Sequence, residues 1–556
     1  MKTKLGYHIL TFGLLLSALV PVARAEFGVS FSTAADTYTA ILGGTGTFTD
    51  FPTAPAISYG NIAFMGLGSG GQIGLYLKLS QYSSPGDPYK VMANLNTAIP
   101  NGIGNFTDFA MTDLSLSDAS LAFIGAGSGG QLGVYVAIPT DPYRVVANLS
   151  TLIPNGSGYF TNFIPNDPYR HAAPVISGSN VAFLGYGDSG QIGVYAQYTD
   201  ALTVIADLNT AIPGGTGNFT NFVPPNPIVP PNPIISGDVV AFLGFGSGGQ
   251  QGIYQFVPPN PIMPNGSLTM LADTNTLIPG GINNSTFGYF QSISMENSNI
   301  AFVGGAVGVA TSDGGTPDQQ GVYKDIGSGW QRVADLQTLV PGSTQRFSFF
   351  GAVAIDPSYV VFDAYSNGVH GLYTDFAGGL HKIVEAGDTI GAKTLTDFYW
   401  SQFGFSEGST VQVVFAADFS DGSHAVTTAT LTNGPCPLSQ GYWKTNPKAW
   451  PVLSLTLGSQ TYSKAELLNI LKSSTTSDAS MILARQLIAA KLNIANGSDD
   501  SAISTIIAHA DSLLSSFAGK LPYKVKTASS IGKAMVNDAT TLNNYNNGLL
   551  TQFCAQ

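Results

Sequence analysis

Three aspartates, Asp50, Asp108 and Asp397, hold the same place in three copies of a short aromatic segment: Phe48-Thr49-Asp50-Phe51, Phe106-Thr107-Asp108-Phe109 and Leu395-Thr396-Asp397-Phe398. Carboxylates that converge from separate segments are the oxygen ligands a hard divalent cation takes, so the three predict a Ca²⁺ site if the fold brings them to one axis. The competing expectation is a turn cap. Asn162 and Asn221 stand at the same position in two further copies, and a short polar side chain there can bond the neighbouring backbone. A second acidic stretch, Asp418-Phe419-Ser420-Asp421-Gly422, lacks the later ligands of a calcium loop.

Other chemistry is sparse. The histidines His8, His171, His370, His381, His424 and His509 stand singly, and no zinc-protease, nucleophile-elbow or phosphate-loop motif occurs. No catalytic residue is therefore assigned. Only two cysteines are present, Cys436 and Cys554, and they bracket the C-terminal segment. In an exported chain, such a pair predicts a disulfide. Residues 26–434 carry nine Lys/Arg against 28 Asp/Glu, which excludes nucleic acid as a partner, since phosphates demand basic clusters. Residues 435–556 carry ten against six, a basic tail that would suit attachment to an acidic body or an anionic surface.

The elements that must position these residues repeat. Phe64, Phe123, Phe183, Phe242, Phe302, Phe362 and Phe415 each end an apolar triplet, at spacings of 59, 60, 59, 60, 60 and 53 residues. A fixed period of this size marks a repeat architecture. Within a unit the order is a Phe-Thr-x-Phe strand (a), an Ala-Phe strand (b), a Gly-x-Tyr strand (c) and a Val-Ala-Asp-like strand (d). Tyr76, Tyr135, Tyr195, Tyr254, Tyr323 and Tyr373 close strand c, with Val426 expected in their place in the seventh unit. Thr39, Thr97, Thr151, Thr210, Thr276, Thr338 and Thr389 follow strand d and are expected to bond the turn backbone.

Seven four-stranded units predict an all-β fold, a seven-bladed β-propeller. An isolated copy of strand d around Gly28–Asp36 precedes the first full unit, and the last unit lacks that strand. The N-terminal strand should complete the seventh blade and remove the open edges. An open β-solenoid would need no such complementary ends. The Gly-rich b–c turns, Gly68–Gln72 and its copies, are expected on one face. The Pro-rich insertions Pro224–Pro233 and Pro258–Pro264, with Asp87-Pro88-Tyr89-Lys90, Asp141-Pro142-Tyr143-Arg144 and Asp167-Pro168-Tyr169-Arg170, are expected on the other.

Residues 1–25 stand outside that fold. Lys2 and Lys4 precede an apolar run from Ile9 to Val22, and Ala23-Arg24-Ala25 is an A-x-A site. The pattern predicts a signal peptide cleaved after Ala25 and a secreted or cell-surface protein, the run being short for a membrane span. Domains are expected at 1–25, 26–434 and 435–556. The last is helical: Ser463-Lys464-Ala465-Glu466 is a capping box, and apolar stripes follow around Met481–Leu492, Ile503–Phe517 and Ile531–Leu542.

From Cys436 through Gly441-Tyr442-Trp443-Lys444-Thr445 to about Cys554 the chain resembles the "GYWKT" C-terminal module of secreted bacterial proteins. Residues 33–431 resemble the tandem propeller repeats of exported bacterial proteins. The resemblance implies export and a propeller, and carries no catalytic residues to transfer. The expected function is a secreted or surface-associated binding protein, with a glycan or a protein as ligand. The alternatives are an extracellular polysaccharide hydrolase or lyase using channel carboxylates, and a structural component of the cell envelope.

Overall fold

A computed structural model describes residues 27–550 apart from 81–88, 110–112, 140, 165–172, 200, 224–232, 260–265, 307–317, 377, 408–409, 434–435, 474–476, 499 and 501. The predicted signal peptide lies outside the described residues, as does Cys554, the far end of the predicted disulfide. Two units result, Phe27–Thr432 and a second beginning at Asn433. No described helix is long and apolar enough to cross a membrane.

The first unit is the seven-bladed propeller. Blade 1 is typical: strand a is Phe48–Asp50 and Ala56–Ser58, strand b Asn61–Gly68, strand c Gln72–Lys78 and strand d Tyr89–Asn94, all antiparallel. Seven such sheets follow one another, and Phe27–Asp36 pairs with His424–Asn433 as strand d of blade 7. The ring is thus closed by both ends of the repeat region, as the complementary missing strands require.

Why these residues make this blade is clear from the aromatic positions. In blade 1, Phe48, Phe51, Phe64 and Tyr76 are all buried, and Tyr76 meets Phe48 edge-on at 4.9 Å. The group packs on Ala416 and Val426 of the preceding blade. The same four rings recur in blade 2 as Phe106, Phe109, Phe123 and Tyr135, packed on Met65 and Leu75 of blade 1. The core therefore lies between blades, where each aromatic group stabilises two sheets at once. The glycine of Gly-x-Tyr makes room for its own tyrosine: a Cβ on Gly74 would lie 2.7 Å from the Tyr76 hydroxyl.

Three expectations need correction. Strand a is two short strands in blades 1 to 4 and 7, because an insertion interrupts it. The Pro-rich stretch 224–233 falls inside that interruption, between Phe219–Asn221 and Ile234–Ser236, and the Asp167–Arg170 stretch falls likewise in blade 3. The a–b connection is instead a tight turn, as at Ser236-Gly237-Asp238-Val239. In blade 7, Phe415 faces Thr427, as Phe64 faces Tyr76, so Thr427 rather than Val426 takes the tyrosine place. In blade 6, Asp388 accepts the Glu385 N–H at 2.8 Å, the bond that Thr39 and Thr97 receive from Asp36 and Asn94, so Thr389 has no such role.

The inner halves of strand a line the axis and are tied around it. Ser58 Oγ accepts from Asp118 N at 2.9 Å, Ser117 Oγ from Gly178 N at 2.8 Å and Ser177 Oγ from Gly237 N at 2.9 Å. Ser236 Oγ accepts from Asn297 N at 2.8 Å, and Ser406 Oγ accepts from Tyr59 N at 3.3 Å across the closure. Each serine thus bonds the next blade at the a–b end of the channel. Phe403, from the insertion of blade 7, packs on apolar clusters drawn from blades 1 to 5 and plugs the axis. Its carbonyl accepts from Ile57 N at 2.9 Å.

The second unit is helical, as expected. Helix α1 is Gln440–Thr445, α2 Lys464–Lys472, α3 Ala479–Ala495, α4 Ser504–Ser515 and α5 Ser530–Asn546, with a hairpin Ser454–Leu457/Gln460–Ser463 before α2. Ser463 and Glu466 form the reciprocal capping box. Trp443 of α1 is buried and donates its ring N–H to Asn493 at 2.8 Å.

Candidate functional site

Among the described residues, Asp50, Asp108 and Asp397 do not form a group with ligand atoms within 4.8 Å of one another. Each strand-a acid or amide first serves its own turn: Asp50, Asn162, Asn221 and Asp397 accept the next residue's N–H at 2.7, 2.8, 2.8 and 2.9 Å. Asp108 is exposed on strand a of blade 2. Asp50 lies 3.8 Å from His424 Nδ1, which is 2.7 Å from Asp418. Asp50, Asp418 and His424 are the one group of metal-type side chains among the described residues with ligand atoms within 4.8 Å of each other. Asp397 turns instead to His370 of blade 6.

That pairing belongs to a pocket of about 410 Å³ at the b–c-turn end of the channel. Its walls are the strand-a insertions of blades 1, 2 and 7 and the adjoining strands of blade 6. Blade 1 supplies Thr53, blade 2 Asp113, blade 6 Asp363, Tyr365 and His370, and blade 7 Asp397 through Gln402. Such insertions interrupt the ladder and so free side chains to face the axis rather than the interblade core.

The His370 ring is held on four sides. It lies flat between Tyr365 and Phe398, at 4.5 and 4.0 Å between ring centres. Nδ1 is 2.8 Å from Asp397 Oδ1, and Nε2 is 3.3 Å from Asp363 Oδ2. Burial opposes the charged imidazolium, but the hydrogen bonds and charges of Asp363 and Asp397 outweigh it and raise the His370 pKa above its ordinary value. Asp363 is anchored by the Ala352 N–H. Its carboxylate sits so close to strand a that a Cβ on Gly351 would lie 2.2 Å from it, so only glycine permits this approach.

Asp113 differs from the other two acids. Burial alone pushes its carboxyl up to about 7, the behaviour of an acid with no cation beside it. Two further polar groups of the wall have no partner: Thr53 Oγ1 and Gln402 Oε1 are buried without a hydrogen bond, in residues 6% and 7% exposed. Buried polar atoms are nearly always paired, so an orphan pair in one pocket marks a place for a ligand or ordered water. Above them Tyr399 is half exposed and Trp400 partly so.

Sequence reasoning named Asp397 but missed Asp113, Asp363, His370, Thr53 and Gln402. One of these, Asp363, carried a legible signal. Asp363 follows the blade-6 anchor where Met65, Ile124, Leu184, Leu243 and Val303 follow the anchors of blades 1 to 5. His370 carried no such contrast, because Ile73, Leu132 and Ile192 precede the strand-c glycine in blades 1 to 3 but Gln251 and Gln320 do in blades 4 and 5. A polar residue at an apolar place of one repeat is the departure that points to a site.

No family model matches the chain, and no curated protein matches it. Solved structures similar to it include a β-propeller domain and lectins. The Swd1 (Cps50) propeller domain of Myceliophthora thermophila shares 11% identity over 72% of this chain and 99% of that one, at a TM-score of 0.33. The BP39L lectin of Burkholderia pseudomallei shares 13% over 74% and 96%, at 0.31. The Aleuria aurantia lectin, solved with Fucα1-6GlcNAc, shares 10% over 61% and 97%, at 0.29.

Proposed function

We propose that this chain is an exported glycan-binding propeller whose ligand sits in the pocket lined by Thr53, Asp113, Asp363, His370, Asp397, Trp400 and Gln402. The observation that carries the reading is the joint presence of accessible aromatic rings and two unpaired buried oxygens, Thr53 Oγ1 and Gln402 Oε1, in one concave site. A sugar presents an apolar C–H face that packs on Tyr399 or Trp400, and vicinal hydroxyls that satisfy carboxylate and amide oxygens. A site of this volume and mixture is the usual form of a small-ligand pocket. Export rests on the charged, apolar and A-x-A pattern of residues 1–25.

The test is binding of the purified mature chain to a glycan array, with calcium and then with EDTA, alongside Trp400→Ala. Retention of one sugar class that Trp400→Ala reduces at least tenfold supports the reading. Absence of binding to every glycan, or binding indifferent to Trp400, overturns it in favour of a protein partner or an envelope role.

A further inference from the structure

Three carboxylates and one histidine line the pocket, and neither lysine nor arginine is among its described lining residues. Protonated His370 offsets one of the acids and is already shared between Asp363 and Asp397. Asp113 has no salt-bridge partner among the described residues, and its raised pKa reflects burial without compensation. Asp363 and Asp397 against one imidazolium already leave the pocket net negative, and an ionised Asp113 deepens it, on a propeller with nine basic against 28 acidic residues. A field of that sign draws cations and repels acidic sugars.

The hydrogen-bonding side of the wall has the same bias. Gln402 Oε1 is a buried acceptor lacking a donor, and Thr53 Oγ1 can take either role. A primary ammonium brings three donors and no acceptor, and the rings of Tyr365, Tyr399 and Trp400 offer π faces that stabilise it further. A bare metal ion fits less well. The lining acids and His370 do not gather their ligand atoms around one point, which among the described residues only Asp50, Asp418 and His424 do. An extended ligand reaches separated acceptors; a single ion does not.

We propose that the pocket recognises an amino sugar, its ammonium group received by Asp113 and the Gln402 amide oxygen and its ring packed on the blade-7 aromatics. The inference rests on the glycan-binding reading and names the sugar class within it. N-acetylation removes the charge and two of the three donors, so a free-amine oligosaccharide is bound in preference to its acetylated twin.

Calorimetric titration of the mature chain tests this with four probes: a β-1,4-linked glucosamine hexamer, the N-acetylglucosamine hexamer, a glucose hexamer of the same linkage, and spermidine. The expected result is affinity for the glucosamine hexamer at least tenfold above each of the others. Asp113→Asn should abolish that preference while the variant melts no lower than the parent at pH 8, which separates lost recognition from lost folding. Gln402→Leu should weaken the glucosamine hexamer alone. Equal or tighter binding of the acetylated or neutral hexamer overturns the amino-sugar inference and leaves glycan binding standing. Spermidine bound while all three oligosaccharides are ignored overturns both, as does silence from all four probes.

Discussion

The Nδ1 atom of His370 lies 2.8 Å from Oδ1 of Asp397, a bond between strand c of blade 6 and strand a of blade 7. The same ring reaches Asp363 on strand b of its own blade. One imidazole therefore joins two blades at the rim of the pocket, and its charge state sets how firmly it does so.

His370→Phe should keep the ring stack on Tyr365 and Phe398 while deleting both polar bonds. The folded-state pKa of His370 is raised, so its contribution is fully present below the unfolded value of about 6.5 and is lost as pH rises through the folded value. The loss in the variant should be about 1–3 kcal/mol at pH 6 and shrink by pH 9. Thermal melts of both proteins across that range decide it, and a pH-independent difference would contradict the linkage.

Asp113→Asn should act with the opposite sign. Burial raises the carboxyl to about 7, so between the ordinary value near 4 and that pH the native state holds a proton the unfolded chain has released. The parent's stability contribution is fully present below about 4 and falls as pH rises toward 7 and beyond. The amide cannot ionise, so the variant should match the parent near pH 4 and exceed it at pH 8 by roughly 1–4 kcal/mol. Urea unfolding at the two values is sufficient.

The ring of blades was legible because its determinants recur. Phe64 and its counterparts in blades 2 to 6 meet the tyrosine of Gly-x-Tyr blade after blade, so periodicity alone carried the architecture and the closing strand at Phe27–Asp36. The pocket was not legible for the complementary reason. Asp113, Gln402 and Phe403 lie in interruptions of strand a that differ from blade to blade, and their meeting at the axis is a property of the closed ring. Asp50 and Asp397 share a repeat position, yet each caps its own turn and their other charged contacts diverge, Asp50 lying 3.8 Å from His424 and Asp397 bonding His370. Equivalent places in a repeat share local bonding, while their longer-range partners differ.

Phe403→Ala tests the axial plug. The ring is only partly exposed and touches apolar clusters from five blades, so its removal leaves a hole that separate rigid sheets cannot collapse to fill. A loss of about 2–4 kcal/mol is expected, read from the denaturation midpoint at unchanged slope. Phe403→Leu should recover most of it, because the apolar fill is restored without the ring.

In the helical unit the informative position is Asn493, whose side chain is fully buried on α3. Its Oδ1 accepts from Leu438 N and from Trp443 Nε1, both at 2.8 Å, and its Nδ2 donates to Leu438 O and Asn546 Oδ1, both at 2.9 Å. One amide thereby satisfies the chain before α1, the tryptophan of the Gly-Tyr-Trp-Lys-Thr helix and the end of α5. Asn493→Leu fills the space but strands these partners in a site without water, at a cost of about 3–5 kcal/mol. The unit is a compact body in its own right, so the change should appear in the tryptophan signal of Trp443 and Trp450 on heating. Melting of the two indoles at the parent's temperature would mean that the α1 helix is held by packing on α3 rather than by this amide.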